Sequence, residues 1–168
     1  MVPITPRGRG SRGSPGSPAA APPSARRLCS SAGTRSLIVL DASALLELLL
    51  GTSAGKQLAG RLDSPSESLH VPHVADLEIL NALRRLLRAG RIDARRAEGA
   101  LRHLAELDLD RHPHELLLQR VWALRHNLSA YDAIYVALAE ALDCPLLTRD
   151  ARLARSAGIR CRIEVLAT

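Results

Sequence analysis

Four apolar residues in a row, Leu37-Ile38-Val39-Leu40, run straight into Asp41, and few folds can use such a segment. A continuous apolar run with no alternation is the pattern of a strand covered on both faces. The same arrangement recurs late in the chain, where Pro145-Leu146-Leu147-Thr148 leads into Arg149-Asp150. Between the two lie longer stretches with helical spacing. Buried strands alternating with helices specify an α/β protein built on a central parallel sheet.

The rest of the chain reads in the same way. A helical pattern over Ala44–Leu50 stops at Gly51, and another covers Ser53–Leu62 before Ser64-Pro65-Ser66 breaks the chain. Leu69-His70-Val71 is a weak second strand. Val74–Ala89 is a long helix closed by Gly90, and Asp93 caps the next, which runs to about Leu107. Asp108–Arg111 reads as a short strand. Glu115–Arg125 and Ala130–Leu142 read as helices on either side of Asn127-Leu128-Ser129, Asp150–Ala157 as a helix ended by Gly158, and Cys161–Val165 as a last strand.

The formal net charge of +6 suggests a nucleic-acid partner until it is located. Residues 1–36 hold Arg7, Arg9, Arg12, Arg26, Arg27 and Arg35 and no acid, while the remaining 132 residues balance 17 basic against 17 acidic groups. The charge therefore belongs to an extension rich in Pro, Gly, Ser and Arg, which has too little to bury to offset its ordering entropy. It reads as a disordered segment ahead of a domain spanning 37–168. Arg- and Ser-rich and acid-free, it looks like an organelle transit peptide, but Pro15, Pro18, Pro22 and Pro23 oppose an amphipathic helix. A start site assigned too far upstream accounts for it at least as well.

Inside the neutral body, basic residues cluster from Arg84 to Arg102. They form either a solvated helix face or a phosphate-contacting surface, and their place relative to the acids decides between these readings. One Trp, two Tyr and no Phe leave little for base stacking. Three scattered cysteines form neither a metal-ligand spacing nor a disulfide framework. That usage suits a reducing, cytoplasmic setting, and no apolar run is long enough to span a bilayer.

Four acids occupy chemically similar places. Asp41 and Asp150 follow buried strands, while Glu78 and Asp132 lie in the first turns of helices. In an open parallel sheet, strand C-termini and the following helix N-termini meet at one edge, where ligands bind. Carboxylates gathered there need protons or a cation to relieve their mutual repulsion. An all-oxygen donor set suits Mg²⁺, or Mn²⁺, rather than Zn²⁺. Such an ion activates water and stabilises charge on a phosphodiester, so the chemistry implied is phosphodiester hydrolysis. Each acid also has a purely structural use: Asp41, Asp132 and Asp150 suit helix starts, and Glu78 a solvated face. Asp76 points to another face of its helix and reads as structural.

Ser43, Thr148, Asn127 and Ser129 are accessory candidates, able to orient a carboxylate or water, or to satisfy free helix N–H groups. Arg149 and Arg85 are candidate RNA contacts; Arg149 could equally neutralise nearby acids. The histidines show no HExxH-type pair, which argues against zinc hydrolysis. A haloacid-dehalogenase-type phosphohydrolase would place a second Asp two residues after Asp41, where this chain has Ser43.

These motifs together resemble the PIN-domain ribonucleases, and in particular the VapC-type toxins of bacterial toxin–antitoxin pairs. The likeness rests on Ile38–Leu45, Glu78–Leu83, Ser129–Glu140 and Leu146–Leu153, taken in order. It implies a PIN-like α/β/α sandwich and a Mg²⁺-dependent endoribonuclease. Asp41 and Asp132 would be the principal metal ligands, with Glu78 and Asp150 completing the pocket and holding or activating water. It further implies a homodimer and a cognate antitoxin whose inserted segment blocks the site. A non-catalytic PIN-like module that binds RNA or protein is the alternative, and four intact acids argue against it.

Overall fold

A computed structural model of the chain describes residues 36–62 and 67–166. The extension read over residues 1–36 lies, Ser36 apart, outside the described residues. Five strands form one sheet: β1 (Ser36–Leu40), β2 (Glu67–Pro72), β3 (Leu109–His112), β4 (Leu146–Thr148) and β5 (Ile163–Val165). Their order is β3-β2-β1-β4-β5, and every pairing is parallel.

Successive strand residues point to opposite faces, yet Ile38, Val39 and Leu40 are all buried, as are Leu146, Leu147 and Thr148. Both faces of the sheet are therefore covered, as the unalternating apolar runs require. The helices are α1 (Ala42–Leu50), α2 (Ser53–Arg61), α3 (Val74–Arg88), α4 (Ala94–Glu106), α5 (Leu118–Ala123) and α6 (Ala130–Leu142). Helix α6 packs over β1, β2 and β4, while α1 meets β1 and β4 and packs against α2, α3 and α4. Seven consecutive residues of α6, Ala133–Ala139, are buried, and three of them are alanines whose small side chains suit a helix packed on many sides. This is the expected α/β sandwich with a central parallel sheet.

Side-chain caps set where the helices begin. Asp41, Thr52, Asp93 and Ser129 each accept a backbone N–H at the start of α1, α2, α4 and α6. The cap on Asp41 starts α1 at Ala42, two residues before the apolar pattern suggested. Between α1 and α2 the chain turns at Gly51, in the left-handed region at φ 58°. Gly55 then brings α2 so close that a Cβ there would sit 2.0 Å from the Glu47 carbonyl oxygen.

Four sequence expectations change. Asp150–Ala157 is not a helix; it holds one 3₁₀ turn, Leu153–Arg155. Asp150 explains this, because its carboxylate accepts both the backbone N–H of Arg152, at 2.8 Å, and the Arg152 guanidinium, fixing a tight turn instead of a helical one. Glu115–Arg125 splits into a 3₁₀ turn, Glu115–Leu117, and the short α5. The last strand begins at Ile163 rather than Cys161, while β2 runs beyond Leu69–Val71 on both sides.

The strand order places β1 between β2 and β4. The chain leaves β1 toward β2 on one side and returns at β4 on the other, so the crevice at their C-terminal ends is a topological switch point, the usual ligand position in open α/β sheets. Asp41 directly follows β1, and Asp150 follows β4 after one residue.

Candidate active site

Asp41, Glu78, Asp132 and Asp150 line one open pocket of about 270 Å³, with Ser43, Ala82, Arg85 and Tyr135. The sheet edge thus brings all four sequence-identified acids to a common space. They stand around it rather than closing on one point: among the described residues, no three His, Cys, Asp or Glu side chains are gathered closely enough to hold an ion.

Asp41 is the most firmly held. Its Oδ1 accepts the Ala44 N–H and the Ser43 hydroxyl, each at 2.7 Å, and its Oδ2 accepts the Thr148 hydroxyl. Each hydroxyl in turn accepts a backbone N–H from the segment after β4: Ser43 from Arg149 and Thr148 from Asp150, both at 2.9 Å. A hydroxyl that accepts on one side has its proton free to donate on the other, so both protons go to Asp41. The two uses foreseen for Ser43 and Thr148 therefore coexist, one hydroxyl orienting the carboxylate and satisfying a backbone N–H at once. A carboxylate offers about four lone-pair positions, and these three hydrogen bonds leave room for one more partner on Oδ2. Burial pushes the Asp41 carboxyl above the ordinary range, against the lowering pull of Thr148, Ala44 and Ser43.

Glu78 accepts the Tyr135 hydroxyl at 2.6 Å. Its carboxyl is also raised, first by burial and then by the negative charges of Asp41 and Asp132, against the lowering pull of the Tyr135 hydrogen bond and, more weakly, of Arg85. The Tyr135 phenol is pushed far above its usual range by burial and by Glu78, so it is a fixed donor. Sequence reasoning gave Tyr135 no role. Its place three residues after Asp132, on the same face of α6, was the available signal.

Asp132 is exposed, and its Oδ2 accepts the Ser129 hydroxyl at 2.8 Å while Ser129 caps its backbone N–H. Asp150 turns toward Arg152, whose side-chain hydrogen bonds lower its carboxyl pKa. Asn127 borders an adjoining recess with Asp132 and Asp150, where its amide donates to the Ala157 carbonyl and ties two loops together. Arg85 lines the acid pocket. Arg149 does not; its guanidinium lies 3.6 Å from Glu47. Asp76 has the structural part expected of it, paired with Arg111 of β3. His70 and His112 meet each other across β2 and β3 at 2.9 Å, away from the acids. Cys144 and Cys161 are free thiols.

Among the described residues, Asp41, Glu78 and Asp132 form no ion pair. The charges of Asp41 and Asp132 instead raise the proton affinity of Glu78, as uncompensated negative charge does. The donor type, carboxylate oxygens around one pocket, is the one a hard divalent cation such as Mg²⁺ or Mn²⁺ would take, although the side chains would have to draw closer to share it.

Comparison with known proteins points to one family. The sequence model of the PIN domain matches residues 38–159. Ribonuclease VapC9 of Mycobacterium tuberculosis is 45% identical over 130 residues, covering 77% of this chain and 98% of that one. Ribonuclease VapC1 of the same organism is 43% identical over 129 residues, covering 76% and 96%. Among solved structures, PAE2754 from Pyrobaculum aerophilum superposes with a TM-score of 0.59 at 25% identity, covering 85% of this chain and 93% of that one. VapBC2 from Rickettsia felis, solved bound to a DNA fragment from their promoter, shares the fold at TM-score 0.58 and 10% identity, covering 78% and 99%.

Proposed function

The chain belongs to the PIN-domain family, among its VapC-type members, and from that premise we propose that it is a Mg²⁺-dependent endoribonuclease acting as the toxin of a type II toxin–antitoxin pair. The observation that carries this reading is the set of unpaired carboxylates, Asp41, Glu78 and Asp132, around one pocket at the switch point of the sheet. The named ribonuclease relatives, matched along nearly their whole length, supply the substrate class.

Asp41 and Asp132 would hold the ion, with Glu78 and Asp150 completing the pocket. When bound, Mg²⁺ supplies charge neutralisation on the phosphodiester and acidification of water. The chain's own residues do the rest. Ser43 and Thr148 hold the Asp41 carboxylate in one orientation, so that group needs no reorganisation. Tyr135 fixes Glu78, whose raised proton affinity suits it to take the proton from the attacking water. As the water oxygen bonds to phosphorus, the bridging P–O bond breaks and the leaving oxygen takes a proton from solvent. Arg85, beside Glu78, is placed to contact a phosphate oxygen.

A cognate antitoxin is the proposed protein partner, and the cytoplasm the proposed setting. Leu80, Leu87 and Leu101 leave apolar surface exposed on α3 and α4, which supports a homodimer. Among the described residues, no helix is long and apolar enough to cross a membrane.

The test is cleavage of structured RNA by the purified chain with Mg²⁺ or with EDTA, beside Asp132→Asn. Cleavage that needs both the metal and Asp132 is expected. Cleavage that persists in EDTA, or in the variant at the parent rate, would remove the metal-site assignment.

A further inference from the structure

The acid pocket does not end at Glu78. A second recess of about 390 Å³ shares Glu78 and Arg85 with it and adds Leu77, Asn81, Arg84 and Tyr131. Helical geometry explains why the two spaces adjoin. On α3, Glu78, Ala82 and Arg85 follow the i, i+4, i+7 spacing of one stripe and line the acid pocket. Leu77, Asn81 and Arg84 make the neighbouring stripe and line the recess. On α6, Tyr131 and Asp132 are consecutive, so a turn of about 100° points one at the recess and the other at the acids.

The chemistry of the recess differs from that of the pocket beside it. Tyr131 is 60% exposed, a poor place for an aromatic ring with nothing to cover it. Arg84 and Arg85 are exposed, and among the described residues neither forms an ion pair, whereas Arg111, Arg120, Arg149 and Arg152 all do. Of the basic run from Arg84 to Arg102, only these two border the acids. The recess therefore offers an open aromatic face, two uncommitted guanidinium groups and, in Asn81, an amide that can donate and accept.

We propose that this recess holds the nucleotide next to the scissile phosphate of single-stranded RNA, with its base stacked on Tyr131 and its phosphate between Arg84 and Arg85. The proposal rests on the ribonuclease reading. An aromatic face accepts an unpaired base of any kind, and guanidinium groups favour phosphate oxygens. A base within a duplex is already stacked and paired, so the site selects loops and single strands. Asn81 is the group placed to discriminate among bases by their edges. Carboxylates and cations alternating along one groove suit a polyanion that must bring one phosphate to the acids while its neighbour is neutralised alongside. The sparse aromatic content of the sequence argued against base stacking, but one exposed ring beside the reacting phosphate is enough for one base.

The experiment measures binding of a short fluorescein-labelled single-stranded RNA of random sequence to the full chain. An Asp132→Asn background prevents cleavage, and anisotropy is followed across a salt series. Tyr131→Ala is expected to weaken binding roughly 5- to 150-fold, the range of one base–aromatic stack, while Tyr131→Phe keeps the affinity. Arg84→Ala is expected to reduce the slope of log affinity against log salt by about 0.7, one phosphate contact on a single strand. With Asp132 restored, Tyr131→Ala should raise KM and change the pattern of cut sites. If Tyr131→Ala and Arg84→Ala bind and cut as the parent does, the recess is not a nucleotide site, and the ribonuclease reading stands on its own Asp132 test. If Phe and Ala at position 131 weaken binding equally, stacking is wrong. If these variants keep RNA affinity but lose association with a second copy or with a co-expressed protein partner, the recess is a protein interface and the proposal falls. A parent that neither binds nor cuts RNA would overturn both readings.

Discussion

Thr148 joins the two halves of the site through one oxygen: its hydroxyl donates to Asp41 and accepts the N–H of Asp150, and its side chain is completely buried. Thr148→Val keeps the shape and removes the hydroxyl, leaving a buried N–H and a carboxylate oxygen without their partner. The expected cost is about 1–3 kcal/mol in denaturant unfolding, with cleavage reduced at least about tenfold as Asp41 loses its fixed rotamer. Thr148→Ser should restore most of both. A Val variant as stable and active as the parent would show that the relay does nothing. Much at this scale was legible in advance. The acids could be read because each follows a strand or opens a helix, positions that a parallel sheet sends to one edge. Tyr135 gave only its shared face with Asp132, because its partner Glu78 lies 57 residues away. The direction of Arg149 could not be read, since an arginine next to Asp150 gives no sign of preferring Glu47, in a distant helix.

Among the elements, legibility followed the strength of the local pattern. The buried strands β1 and β4 and the helices α3 and α6 carry long apolar patterns, and they fold where those patterns predict. The segment after Asp150 fails for a local reason: Ala-Arg-Leu-Ala-Arg has helical composition, but Asp150 closes on Arg152 and the chain must turn back within a few residues to reach β5. The α1–α2 corner shows a constraint that composition hides. Gly55 lies inside a helix, where it is costly, yet a methyl group there would collide with the Glu47 carbonyl. Gly55→Ala is therefore expected to destabilise the fold by about 1–3 kcal/mol through overpacking, although alanine is the better helix former. Gly60→Ala, in the same helix with open space around its Cβ position, should be neutral or stabilising. Equal effects at the two positions would mean that the close approach of α1 and α2 is not a constraint.

For the whole molecule, charge placed by the fold matters more than net charge, since the described body is nearly neutral and some of its carboxylates contrast. Asp41 and Glu78 are raised, so their ionised forms weigh against folding at neutral pH, a cost that the proposed cation would relieve. Glu140 is the opposite case. Burial alone would raise it, but hydrogen bonds from Arg120 at 2.6 and 2.9 Å and from the Arg160 N–H, with both guanidinium charges, outweigh burial and lower it. Arg120 also donates to the Gly158 carbonyl, so one ion pair joins α5 and α6 to the loop before β5, on the far side of β4 from the centre of the sheet. A carboxyl whose folded pKa lies below its unfolded value of 4.5 adds stability in full above that value. It loses the contribution as the pH falls through the folded pKa. Glu140→Gln should therefore unfold about 2 kcal/mol more easily at neutral pH, the scale of hydrogen bonds to a charged group. Its deficit relative to the parent should shrink steadily below about pH 4.5, where Glu140 of the unfolded parent takes up its proton while the folded parent still keeps the charge. The check is a pair of thermal unfolding series from pH 7 downward. Convergence at acid pH assigns the stability to the charge on Glu140; parallel curves would assign it to packing around α5 and leave the ion pair without a part in holding the fifth strand in place.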